Sequence, residues 1–185
     1  MNGWDAWQEI GVQGLSDFSF RLNEANNSEI LVKAINSVPE QVLVPLCSAL
    51  ENMTLPAEVI EQIITRYQQD KVNKNNTATV ALLRALASST QHPFSQKFLI
   101  TLIKDNALED EILIIIAGRL WSVLNDEDIL FVYLEQLIKD NDYELFSAIF
   151  KDLVAIPMIR PVILQAIRSP KRSPSLAKAI GILFK

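Results

Sequence analysis

Few side chains in this 185-residue sequence are suited to chemistry, and their surroundings narrow it further. The one histidine, His92, sits in Thr90-Gln91-His92-Pro93, a connector just ahead of an amphipathic segment. That is the setting of a solvated loop residue rather than a general base. The one cysteine, Cys47, lies in Pro45-Leu46-Cys47-Ser48-Ala49, inside a helical segment. A lone thiol among apolar neighbours packs as a small hydrophobe. A reactive thiolate needs a nearby cation or a helix N-terminus, and the sequence places neither beside it. One Cys and one His exclude a disulfide framework and a Cys/His zinc site. No phosphate-cradling glycine loop, H-E-x-x-H or G-x-S-x-G motif occurs. The carboxylate runs Glu109-Asp110-Glu111 and Asp126-Glu127-Asp128 stand at helix starts, where acids cap and meet the positive end of the helix dipole. A catalytic pair would need one member buried. The reading is therefore no enzyme, with no catalytic, cofactor-binding or metal-ligating residue.

The cations carry more information. Arg84 and Arg119 each interrupt an apolar helix, in Leu82-Leu83-Arg84-Ala85-Leu86 and Ala117-Gly118-Arg119-Leu120-Trp121. They are 35 residues apart. At the repeat interval described below, they are expected to stack on equivalent helices. An unpaired buried cation costs several kcal/mol, so each must reach a carboxylate, a carbonyl or solvent. Two readings follow: a tie to a neighbouring repeat, or a ladder of guanidinium groups facing a groove. Charge is also segregated. Residues 104–144 carry 11 acids and 3 bases (net −8), and residues 145–185 carry 7 bases and 1 acid (net +6). The basic end includes Arg168, Lys171, Arg172 and Lys178. Such a face is either solvated and screened or meets an acidic partner, a second copy included. The net charge of −5 and pI of about 4.9 disfavour general nucleic-acid binding.

The elements that must hold these groups are helices. An apolar share of 49% and a charged share of 21% exclude disorder and fit one domain over 1–185. Gly and Pro together number 13 (5 and 8), too few for an all-β sandwich. The longest apolar run, Ile112 to Gly118, is far short of the roughly 20 residues of a membrane span. With no basic-then-apolar leader at Met1-Asn2-Gly3-Trp4-Asp5, the chain reads as soluble and cytoplasmic. Pro39, Pro56, Pro93, Pro157 and Pro174 punctuate amphipathic segments, placed where a missing N–H costs little. The expected helices are 5–22, 28–37, 39–51, 56–70, 77–89, 93–105, 110–124, 126–140, 142–155, 157–168 and 173–184. Pro45 falls inside one of them and should kink it; Pro161 falls in a first turn.

The pattern repeats. Leu102-Ile103-Lys104-Asp105-Asn106 returns as Leu137-Ile138-Lys139-Asp140-Asn141, 35 residues on, with Ala166-Ile167-Arg168-Ser169 as a weaker copy. Helix starts at 39, 77, 110, 142 and 173 alternate with starts at 56, 93, 126 and 157. A period of this size marks stacked two-helix units, each covering the apolar face its neighbour leaves open. The expected fold is thus all-α: about eleven helices in antiparallel pairs, with 1–37 as N-terminal capping helices and 38–185 as helix-pair repeats. In the first helix, Trp4 and Trp7 need a cover, and without one they would drive self-association through residues 4–22.

The paired helices, the period and the interior proline resemble HEAT or armadillo-type repeats, an α-solenoid. More narrowly, the chain resembles the C-terminal part of a bacterial family of unknown function. The residues that carry this are Trp7-Gln8-Glu9-Ile10-Gly11-Val12-Gln13-Gly14-Leu15-Ser16-Asp17, Leu46-Cys47-Ser48-Ala49-Leu50-Glu51, Ile116-Ala117-Gly118-Arg119-Leu120-Trp121, and Ser173-Pro174 with Ala179-Ile180-Gly181-Ile182-Leu183-Phe184. The resemblance implies further sequence ahead of residue 1, and it implies no activity. The function expected is a non-enzymatic protein-binding scaffold or adaptor, with contacts through Arg84, Arg119, Arg168, Lys171, Arg172, Lys178, Trp4 and Trp7. The alternative is a HEAT-like DNA-binding protein of the glycosylase type, which would need a basic concave groove.

Overall fold

In a computed structural model, residues 7–105, 108–138 and 143–183 are described, the side chains of 7–10 excepted. They form eleven α-helices and no strand. In chain order these are α1 (Trp7–Phe20), α2 (Asn27–Ala34), α3 (Glu40–Leu50), α4 (Ala57–Val72), α5 (Asn76–Ala85) and α6 (Pro93–Lys104). There follow α7 (Asp110–Arg119), α8 (Glu127–Leu137), α9 (Tyr143–Ala155), α10 (Arg160–Ala166) and α11 (Pro174–Ile182).

The caps explain most boundaries. Pro39 and Pro56 sit at N-cap positions in extended backbone, and Pro174 is the first residue of α11. The Asp126 carboxylate accepts from the N–H groups of Asp128 (2.9 Å) and Ile129 (3.1 Å) at the start of α8. Ser173 accepts from Leu176 N–H at 3.0 Å at the start of α11. For α5 the cap is Asn75, which accepts from Ala78 N–H at 3.2 Å, ahead of the expected helix start at 77. Asp142, where the helix read as 142–155 was expected to start, lies outside the described residues.

Several expected helices end early. The segments read as 77–89 and 110–124 close in 3-10 turns, Ala87–Ser89 and Trp121–Asn125. The helix read from 157 starts at Arg160, which places Pro161 in its first turn. The expected single helix over 5–22 is broken at Gly11, whose φ of 64° and ψ of 175° lie in a region open essentially to glycine alone. Pro45 does lie inside α3. The carbonyl it leaves without its helical donor belongs to Gln41, an exposed residue, so water can serve it.

The chain divides into two compact units, Met1–Ser95 and Gln96–Lys185. The division falls within α6, inside the stretch read as one run of repeats. In the first unit α3 packs against both α1 and α5, α2 packs against α4, and α4 packs against α5. Two rows result, α1-α3-α5 and α2-α4, in which each helix meets the helix two further along the chain. Between them lie Leu43, Leu46, Cys47, Leu50, Val59, Ile60, Ile63, Leu82 and Leu83, all buried. Each fully buried side chain of this kind contributes about 1.5–3 kcal/mol. The second unit follows the same rule. α7 meets α9 and α9 meets α11 in one row, α8 meets α10 in the other, and α7–α8, α8–α9, α9–α10 and α8–α11 contacts join the rows. Its centre holds Leu113, Ile116, Leu130, Tyr133, Phe146, Leu153, Ile163 and Leu176. The run Ile112 to Ile116 is helical, with Ile112, Leu113 and Ile116 inward and Ile114 51% exposed.

Candidate functional site

Backbone groups in the helix connections need partners, and side chains from a later helix supply them. In the first unit Arg66 of α4 reaches back to the α2–α3 connection. Its Nη1 donates to the Ile35 carbonyl (2.8 Å) and its Nη2 to the Val38 carbonyl (3.3 Å). Its Nε donates to Asp70 Oδ2 at 2.7 Å, one turn along α4. The pair is nearly dry, with side-chain exposures of 12% and 8%. The α3–α4 connection is tied from α5 and the turn after it. Arg84 Nε pairs with the Glu51 carboxylate, Ser88 Oγ donates to the Glu51 carbonyl (2.6 Å), and Ser89 Oγ accepts from Leu55 N–H (2.9 Å). In the second unit buried Gln136 of α8 serves the α6–α7 connection. Its amide N–H donates to the Ile103 carbonyl and its Oε1 accepts from Leu108 N–H at 3.4 Å. Gln136 stands 70 residues after Arg66, twice the 35-residue interval of the repeated pentapeptide.

The side chains suited to chemistry take structural places. Cys47 is fully buried, and burial pushes its thiol up to about 12 although the Arg66 charge pulls the other way. Tyr133 is raised by burial as well, and its hydroxyl donates to the Leu113 carbonyl at 2.8 Å. His92 Nδ1 accepts from Phe94 N–H at 3.3 Å in the first turn of α6, and the two rings meet edge-on at 5.2 Å.

Among the expected contact residues, Arg84 is half-buried and joined to Glu51 inside the first unit, while Arg119 is exposed at the end of α7 in the second. Trp4 and the side chain of Trp7 lie outside the described residues. Nearby on α1, Val12 and Phe20 are 62% and 71% exposed. The cationic end is drawn together more closely. Lys171 Nζ pairs with Asp128 at 3.2 Å, and this hydrogen bond, ahead of the Asp128 and Glu127 charges, raises the lysine above its usual value. Arg172 Nε donates to the Ser169 carbonyl (2.9 Å), and Lys178 lies over the Tyr143 ring at 5.9 Å. Arg168 and Lys171 border an open cleft of about 560 Å³. Its walls are α10 (Pro161, Leu164, Gln165) and the start of α8 at Glu127, with Arg168 and residues 169–171 of the connection after α10 completing it.

Arg66, Asp70 and Gln136 were missed in the sequence. Arg66 and Asp70 are spaced i, i+4 on an otherwise amphipathic helix, which is a readable signal. Gln136 offers none beyond its place on the inward stripe of α8.

These features define an all-α protein of two-row helical units with a mixed cationic and apolar cleft. Residues 1–184 match the model of a protein family described as a protein of unknown function (DUF3549). The chain belongs to the DUF3549 family. No curated protein and no solved structure matches it. Among the described residues, no helix is long and apolar enough to cross a membrane.

Proposed function

We propose that this chain is a protein-binding scaffold or adaptor whose helix pairs form an α-solenoid of the HEAT or armadillo kind. The observation that carries the reading is the packing seen in both units: helices two apart in the chain meet, as α1–α3–α5 and α2–α4 in the first and α7–α9–α11 and α8–α10 in the second. Stacking of that kind turns one face of every row outward as a continuous binding surface. The buried polar groups Arg66, Asp70 and Gln136 support it, because they fasten connections between helices. Self-association is the simplest form of such binding, and the exposed Val12 and Phe20 on α1 supply an apolar patch for it.

Two measurements test the proposal. Affinity capture from the native cells, followed by reconstitution from purified components, should give a stoichiometric complex. Sedimentation velocity should show mass rising with concentration, and Phe20→Ser should suppress that rise. A chain that stays monomeric at all concentrations and captures no stoichiometric protein overturns the scaffold reading.

A further inference from the structure

Resting on the scaffold reading and its self-association, we infer that the outward face of α1 docks on the outward face of α11 of a second copy, joining copies head to tail. α1 begins the row α1–α3–α5, and α11 ends the row α7–α9–α11. On α11, Leu176, Ala179 and Ile180 are buried, while Pro174, Ala177, Lys178 and Gly181 are exposed. These four follow i, i+3, i+4, i+7 and share one helix face. On α1, beyond the break at Gly11, Gln13, Ser16, Asp17 and Phe20 follow the same spacing, with Ser16 half-buried and the others exposed.

The two faces complement each other in charge and in size. From Val12 to Phe20 the one charged residue is Asp17, and along α11 it is Lys178. Asp17 accepts from Gln13 Nε2 at 3.0 Å, and Lys178 lies over the Tyr143 ring; neither has an ion-pair partner among the described residues. Phe20 stands 71% exposed. Gly181 offers the matching space, since a Cβ added there would meet nothing within 4 Å. A glycine weakens a helix, and no neighbour on its own chain needs the room. A ring arriving from outside can lie against its backbone.

One register satisfies both kinds of match. Short connections set successive helices antiparallel, so helices two apart in a row run parallel. A second copy that continues the row therefore lays its α1 parallel to α11. Setting Phe20 on Gly181 then fixes the remaining pairs: Asp17 meets Lys178, Ser16 meets Ala177 and Gln13 meets Pro174. The small Ser16 and Ala177 let the two helices approach. The contact joins two different surfaces, so each copy keeps one face open for the next.

The test is sedimentation velocity of the full chain over a concentration series. The wild-type mass should rise past that of two copies. Asp17→Lys alone, or Lys178→Glu alone, sets like charges face to face and should weaken association about tenfold. Asp17→Lys/Lys178→Glu in one chain reverses the pair and should restore it. Gly181→Gln fills the space meant for Phe20 and should suppress association, while the far-ultraviolet circular dichroism and Tm do not fall. Association unchanged by either single charge variant or by Gly181→Gln, or no recovery in the charge-reversed double variant, overturns the inference. If Phe20→Ser suppresses association that these variants leave intact, the α11 contact is overturned and the scaffold reading stands. A chain that stays monomeric overturns the inference; the scaffold reading then survives only if capture from cells yields a stoichiometric partner.

Discussion

Removing Arg66 isolates a charge in a place water barely reaches. The Asp70 carboxylate is 8% exposed, and the Arg66 guanidinium pairs with it at 2.7 Å. Arg66→Met keeps the helix former and much of the volume, yet leaves that carboxylate unpaired and takes two donors from the Ile35 and Val38 carbonyls. Breaking a buried pair from one side costs about 3–5 kcal/mol. For a chain of this length each kcal/mol lowers Tm by about 2–4 °C, so a fall of roughly 6–20 °C is expected. The double variant Arg66→Met/Asp70→Leu replaces both charges with apolar groups and should recover most of the loss. What stays lost is about 1 kcal/mol for each unserved carbonyl. Urea unfolding followed by circular dichroism gives all four corners of the cycle. The loss should persist at about 1 M salt, where an exposed pair would be screened within roughly 3 Å. A single variant within about 1 kcal/mol of wild type, or a double variant no more stable than the single, refutes the argument.

Three further outcomes are expected. Gln136→Leu leaves Leu108 N–H and the Ile103 carbonyl unserved, costs about 1–3 kcal/mol, and should speed amide exchange at Leu108. Ala25 holds a φ of 47°, a left-handed conformation that penalises an L side chain by about 1–2 kcal/mol, so Ala25→Gly should raise the urea midpoint. Cys47 should react with a thiol reagent at pH 8 only as fast as the chain opens. Its raised folded value contributes stability that is complete below the unfolded thiol value of about 8.5 and is lost as pH rises through about 12. A Cys47→Ala chain should lack that component of the alkaline decline.

The helices were legible because proline and capping residues mark their starts in the local sequence, as at Pro39, Pro56, Asp126 and Ser173. Their ends were less so. The reading of 110–124 as one helix followed an unbroken apolar run, and apolar content does not distinguish an α-helix from the 3-10 turn that closes it at Trp121–Asn125. The break at Gly11 was equally hidden, since Gly14, three residues on, stays helical. The charged residues divided along similar lines. Arg84 interrupts an apolar stretch and so advertised a need for a partner, but nothing local names Glu51, 33 residues away. The cleft brings together α10 and the start of α8, which are more than 30 residues apart in the chain. Only tertiary packing does that, so its cations were visible as composition and not as a site.

The row-by-row packing also governs how the chain acquires its shape. Within each unit the principal partners of a helix are its near successors, so few long loops have to close before contacts form. Topologies of this kind reach the native state on the order of microseconds to milliseconds. They also loosen from the outermost rods inward. Hydrogen exchange should therefore be slowest in α3 of the first unit, which has a row neighbour on each side, and quicker toward α1.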